Sequence, residues 1–268
     1  MQFIPAFCII CLLMICTSCE KVIKVNLNDS EKKYVIEGIV TNQPGTSMVL
    51  LSQTKDFDDD NEFAGISGAA IQITEQGGPT TLFTETATGV YKASLTGAPG
   101  KTYELSVSIN GQVFRATSSM PQPVNLDSIF VSDDDTRRGK SRKLMNVQYN
   151  DPIATGNNYL FIQYVNGNKE EQIFIRNDEL TNGNTSIVKL RYSNDDDDNN
   201  DIKPGDQVKI EMLSTDAAVY KYWYSLNRSA TGGGANSATP ANPVTNIQGG
   251  ALGYFSAHTL QSKTMVVR

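Results

Sequence analysis

Between residues 33 and 120 the apolar side chains fall in short runs: 34–40, 48–52, 70–74, 80–84, 89–94, 102–109 and 112–118. Apolar-rich runs of this length, bounded by turn residues, read as strands. Turn chemistry separates the runs, at Gln43-Pro44-Gly45, Gln76-Gly77-Gly78-Pro79, Ala98-Pro99-Gly100 and Asn110-Gly111. Asn-Gly between Ile109 and Gln112 is the strongest signal, since a two-residue hairpin turn needs positive φ at both central positions. About seven strands at this spacing predict a sandwich over 33–120.

Met120-Pro121-Gln122-Pro123 then interrupts the pattern. Two prolines hold their predecessors extended and remove backbone donors, which predicts a stiff connector at 121–125. Strand-like runs resume at 126–132, 142–149, 159–165, 171–176, 186–192 and 207–213, and the period changes once. After Ser214-Thr215-Asp216, apolar residues fall at 219, 222, 223 and 226, which predicts a helix near 215–228 behind an N-cap. A Gly/Ser/Ala/Pro-rich loop over 229–250 and two closing strands, 251–257 and 259–267, complete the chain. The expected fold is mainly β, two β-sandwich-like domains in tandem (33–120 and 126–268), the second with one substantial α-helix.

The amino-terminal segment follows a different pattern. Residues 3–18 carry no charge, and the chain turns polar at Cys19-Glu20-Lys21. The run is short for a bilayer-spanning helix, which needs about 20 apolar residues, and it ends in small residues, Thr17 and Ser18. It resembles a bacterial lipoprotein signal, which implies removal of 1–18 and lipidation of Cys19. Cys8, Cys11 and Cys16 leave with that segment, so no disulfide, thiol nucleophile or Cys-ligated metal is expected in the exported part. Two or more acyl chains anchor a protein stably where one does not. Residues 22–27 alternate apolar with polar, so 19–32 is expected to form a lipidated Cys and a short strand that hold the body close to the membrane.

The formal charge of −6 argues against nucleic acid as a partner, because phosphate binding needs a clustered positive field. Acidic stretches stand at 56–62, 133–135 and 194–201. Asp195, Asp197, Asn199, Asp201 and Asp206 fall at positions 1, 3, 5, 7 and 12 of an EF-hand register, which makes Ca²⁺ conceivable. Asn200 occupies the glycine position and the flanks read as strands, so a solvated hairpin tip is the plainer reading. The basic run 137–143 follows Asp133 to Asp135 directly, so its field should close across one hairpin rather than reach anionic headgroups. His258 is the single histidine. With Ser256 it shares a strand face, but nothing adjacent supplies an acid or an oxyanion hole, and a packed histidine is the simpler reading. No catalytic residue is assigned.

Tyr220 and Tyr224, four residues apart, and Trp223 on a neighbouring face are the candidate binding residues on the helix. One helix cannot readily bury both faces in a small sandwich, although all could be core. Asn242 and Asn246 are further candidates, in Asn242-Pro243-Val244-Thr245-Asn246-Ile247.

Two resemblances follow. Val35-Ile36-Glu37-Gly38, Ser67-Gly68-Ala69-Ala70-Ile71, Thr88-Gly89-Val90-Tyr91 and Pro99-Gly100-Lys101-Thr102-Tyr103 resemble transthyretin-like and carboxypeptidase-regulatory sandwich modules, which support or bind rather than catalyse. Cys19-Glu20-Lys21-Val22-Ile23, Val35 to Gly38, Asn242 to Ile247 and Gly250 to Ala257 together resemble the Bacteroidota domain-of-unknown-function 4249 lipoproteins over essentially the whole chain after Cys19. That likeness implies an outer-membrane lipoprotein beside a TonB-dependent receptor, and implies no activity. The expected role is a lipid-anchored, non-catalytic binding or capping partner of a TonB-dependent transporter in nutrient uptake. The competing classes are a surface hydrolase of glycans or peptides and a structural adhesin.

Overall fold

Asn110 and Gly111 both take positive φ, 48° and 77°, and close the Ile109–Gln112 pair into a tight hairpin. This is one joint in a computed structural model that describes residues 32–55, 63–134, 142–191, 202–230 and 242–268. Its strands are β1 (Tyr34–Thr41), β2 (Met48–Gln53), β3 (Ala70–Glu75), β4 (Thr80–Ala87), β5 (Val90–Lys92), β6 (Thr102–Ile109), β7 (Gln112–Ser119), β8 (Leu126–Asp134), β9 (Arg142–Asn150) and β10 (Asn158–Val165). They continue with β11 (Asn168–Asn177), β12 (Thr185–Lys189), β13 (Gln207–Thr215), β14 (Ile247–Gln248) and β15 (Leu252–Val266), and α1 spans Ala217–Ala230. The chain is mainly β, with two sandwich cores. Among the described residues no helix is long and apolar enough to cross a membrane.

One continuous sheet runs β11-β10-β13-β15-β1-β2-β5-β4-β3-β6-β7-β14, and β12-β9-β8 form a second. The large sheet folds over itself because β4 pairs with β3 through 80–83 and with β5 through 84–87, across a bulge. Ile36, Val40 and Leu51 from one layer then meet Ile73, Leu105 and Phe114 from the other. The second core stacks Tyr149, Tyr159 and Phe161, with the two tyrosine rings 4.7 Å apart.

The carboxyl-terminal strands depart from expectation. Instead of two runs broken near His258, β15 is continuous over 15 residues and serves both cores. Its first half pairs in parallel with β1, Val35 to Thr41 against Leu252 to His258; its second half pairs antiparallel with β13. Phe255 and Ala257 therefore pack in the first core, and Val267 just beyond the strand in the second. Ile247 and Ala251 also join the first core, so 247–257 belongs with the strands before the 121–125 connector rather than with those after it. Nothing in the chain demanded a break: Ala257, His258 and Thr259 are compatible with a strand, and neither Gly nor Pro intervenes.

Candidate functional site

Helix α1 begins where the cap was expected. Asp216 Oδ1 accepts the Val219 N–H at 2.9 Å, filling an orphan donor of the first turn. Val219 is fully buried against Leu160 and Leu213, with Trp223, Leu260, Ile162, Ile173 and Ile175 around them, so the helix lies on the outer face of the large sheet. Further along, Tyr222 and Trp223 meet Tyr254 of β15, at centroid distances of 4.8 and 5.3 Å.

The candidate binding residues on the helix divide between its two faces. Trp223 belongs to the packed face. Tyr220, half-buried, and Tyr224, exposed, lie beside it and stack at 5.9 Å, and Arg228 donates to the Tyr224 hydroxyl at 3.1 Å. Burial pushes the Tyr220 hydroxyl up, with Tyr224 and Glu179 adding and Arg176 opposing, which puts the turn after β11 within electrostatic reach of the helix. That turn presents Leu180, 96% exposed, and the facing loop presents Ile153, 84% exposed. Gly183 N–H to Pro152 O at 3.1 Å and Asp151 N–H to Asn184 O at 3.0 Å tie the two loops together.

A recess lies on the same sheet face as the Tyr254 cluster. Glu37 on β1 pairs with Tyr254 of β15 on one side and Leu50 of β2 on the other. A cavity of about 360 Å³ opens beside it, lined by Val35, Leu50, Ser52, Phe63 and Val90 as well as Glu37. Glu37 is reachable by solvent yet crowded by protein. Desolvation accordingly raises its carboxyl above the usual range, and Lys169 partly opposes the rise. Desolvation likewise pushes the Tyr222 hydroxyl up to about 12 and raises Tyr254, with the Glu37 charge adding to both. A larger cavity of about 660 Å³ lies by Val131, Met265 and Arg268, but its Asp133 and Lys143 already meet at 3.6 Å. The Glu37 recess keeps its charge open.

Sequence reasoning passed over Glu37 as a site residue. Its signal was present: Val35 and Ile39 share its face while Ile36 and Val40 face the core, so one carboxylate interrupts a strand apolar on both sides.

The remaining candidates fare differently. Asn246 makes structural bonds: its side-chain amide donates to Phe255 O at 2.8 Å and accepts from Phe255 N–H at 2.9 Å. Asn242 is exposed. Ser256 Oγ and His258 Nδ1 are 2.9 Å apart, but they are only 1% and 5% exposed, and burial pulls the His258 imidazole down to about 4. A substrate has no path to that pair. Asp206 accepts from Lys203 N–H at 2.7 Å and from the Asn166 side chain at 2.8 Å, bonds that lower its pKa and secure a turn. Cys19, the strand expected at 22–27, the acidic stretches 56–62 and 194–201, and Asp195, Asp197, Asn199 and Asp201 lie outside the described residues.

A family model described as Domain of unknown function (DUF4249) matches residues 20–264. The chain belongs to the DUF4249 family. None of the curated proteins compared matches this DUF4249 chain. Among solved structures, the chicken interferon gamma receptor alpha chain is 10% identical, with 69% of this chain and 89% of that one covered and a TM-score of 0.22. A chain of a cytokine receptor complex is 11% identical, covers 87% of this chain and 95% of its own length, and has a TM-score of 0.25. Scores this low carry no inference. The two-sandwich fold of this DUF4249 member rests on its own strand pairing.

Proposed function

We propose that this DUF4249 chain is a lipid-anchored outer-membrane lipoprotein of Bacteroidota type, attached through acylated Cys19. In this reading it is a non-catalytic binding or capping partner of a TonB-dependent transporter in nutrient uptake. The observation that carries the reading is the apolar surface of the second sandwich. Leu180 and Ile153 stand almost fully in water, and Tyr224, 42% exposed, stacks on Tyr220 on the helix nearby. Exposed apolar side chains of this size are costly in water, and tyrosine is among the side chains that most often anchor protein interfaces. Asp216 fastens the start of this helix to Ser118 and Ser119 of the first sandwich, so the helix that carries Tyr224 is tied to both cores.

Chemical crosslinking in intact cells, followed by purification of the Cys19-acylated chain from outer membranes, tests the proposal. A TonB-dependent transporter barrel should be recovered in the crosslinked fraction. Recovery of the acylated chain without one would contradict it.

A further inference from the structure

The Glu37 recess is distinct from the exposed surface of Tyr224, Leu180 and Ile153, and it has the features of a small-molecule site. Its volume of about 360 Å³ falls in the usual range for ligand pockets, roughly 300–1,000 Å³. Its walls come from β1, β2 and β5, fixed by backbone pairing, and from Phe63 in the segment leading to the Ser52–Gly65 bridge. Leu51 N–H donates to Gly89 O at 2.8 Å, and Ile66 N–H donates to Leu51 O at 2.9 Å. A ligand would therefore meet a wall already formed.

Val35, Leu50, Val90 and Phe63 offer contact area and no hydrogen-bonding side-chain atoms, Ser52 and Thr88 add two hydroxyls, and Glu37 is the one titratable side chain among the described residues of the lining. An anion would face the Glu37 charge. A cation would gain, since no ion pair joins Glu37 to a cation among the described residues. Lys169 is the other charge acting on Glu37, and a ligand ammonium beside the carboxylate would outweigh it by proximity.

We infer that the recess between β1, β2 and β5 is a binding site for a small apolar molecule that ends in a primary ammonium group, with Glu37 as counter-charge and Val35, Leu50, Phe63 and Val90 around the apolar body. The raised Glu37 carboxyl agrees with this assignment, because a bound cation stabilises the ionised form. Affinity should fall as pH is lowered and Glu37 takes up a proton. Of the groups near it, Lys169 is the one charge of opposite sign, and Tyr222 and Tyr254, both raised, stay neutral through that range.

Trp223 is the only tryptophan in the chain and packs 5.3 Å from Tyr254, so its fluorescence reports on this face without a label. The probe is phenylalanyl-leucinamide, which has an apolar body of suitable size and a single positive charge, and the protein is the full chain in detergent. The free amine should give a saturable change in Trp223 emission. Its N-acetylated form, which has lost the charge, should bind at least about tenfold more weakly, as expected for loss of a close charge pair. Glu37→Gln should weaken the amine by a similar factor, leave the acetylated form unaffected and preserve the melting temperature. Equal affinity for amine and acetylated amide on the wild-type chain, or no saturable signal from the amine at millimolar concentration, overturns the assignment. So does an unchanged affinity in Glu37→Gln. The acetylated control on the wild-type chain decides the matter even if the variant folds poorly.

Discussion

The Ser118 hydroxyl donates to Asp216 Oδ2 at 2.6 Å, so the carboxylate that caps helix α1 also fastens the helix to the first sandwich. Oδ2 accepts the Ser119 N–H as well, at 3.0 Å, and Ser118 Oγ in turn accepts the Ala257 N–H of β15 at 2.9 Å. Losing the carboxylate removes a cap and leaves the buried Ser118 hydroxyl and the exposed Ser119 N–H without their acceptor. Asp216→Ala should cost about 3 kcal/mol, about 1 from the cap and the rest from the orphaned donors. Asp216→Asn should recover the cap alone, because its amide nitrogen cannot accept from Ser119. Urea denaturation followed by circular dichroism orders the three proteins.

The two faces of α1 should respond differently to truncation. Trp223 packs with Val219, Leu260 and Tyr254, so Trp223→Ala should lose about 3 kcal/mol, as for other large-to-small core changes. Tyr224→Ala removes an exposed ring and should stay within about 0.5 kcal/mol. Equal losses from the two variants in thermal melts would mean that both faces are core.

Gly253 is where β15 passes closest to β1. Its φ is +94°, and a Cβ there would lie 2.0 Å from Ile36 O. Gly253→Ala must therefore strain the backbone and push the parallel β1–β15 pair apart. A loss of at least about 2 kcal/mol is expected, read as a lower urea midpoint with the slope unchanged.

His258 sets a pH dependence of stability. In the folded chain its imidazole is held near about 4 by burial, against 6.5 for the free group. As pH falls from 6.5 towards 4 the unfolded chain takes up a proton that the folded chain refuses, so stability decreases with acid. The full difference is about 3 kcal/mol, from about 1.4 kcal/mol for each pH unit between the two values. His258→Gln should flatten this part of the stability profile measured by urea titration between pH 7 and 4, while leaving the steeper carboxylate losses at lower pH.

What the sequence made legible was local. Asn110-Gly111 dictates its own hairpin, and the spacing of Val219, Tyr222, Trp223 and Leu226 dictates a helix, because each signal is complete within a few residues. The parallel pairing of β1 with β15 joins residues some two hundred positions apart and leaves no mark in either segment except the apolar character of both faces of β1. The same non-locality hid Glu37, whose neighbours Tyr254 and Leu50 come from opposite ends of the chain. Asn246 illustrates the reverse error. A polar residue within a short motif suggested binding, whereas its side chain bonds both backbone groups of Phe255.

The surface of Tyr224, Leu180 and Ile153 carries the central claim, and site-specific photocrosslinking in living cells probes it most directly. Tyr224 replaced by p-benzoylphenylalanine should yield, on irradiation, an adduct with the β-barrel of a TonB-dependent transporter. The same replacement at Leu82, exposed on β4 of the first sandwich, should yield none. No adduct from 224, or the same adduct from both positions, would contradict the account.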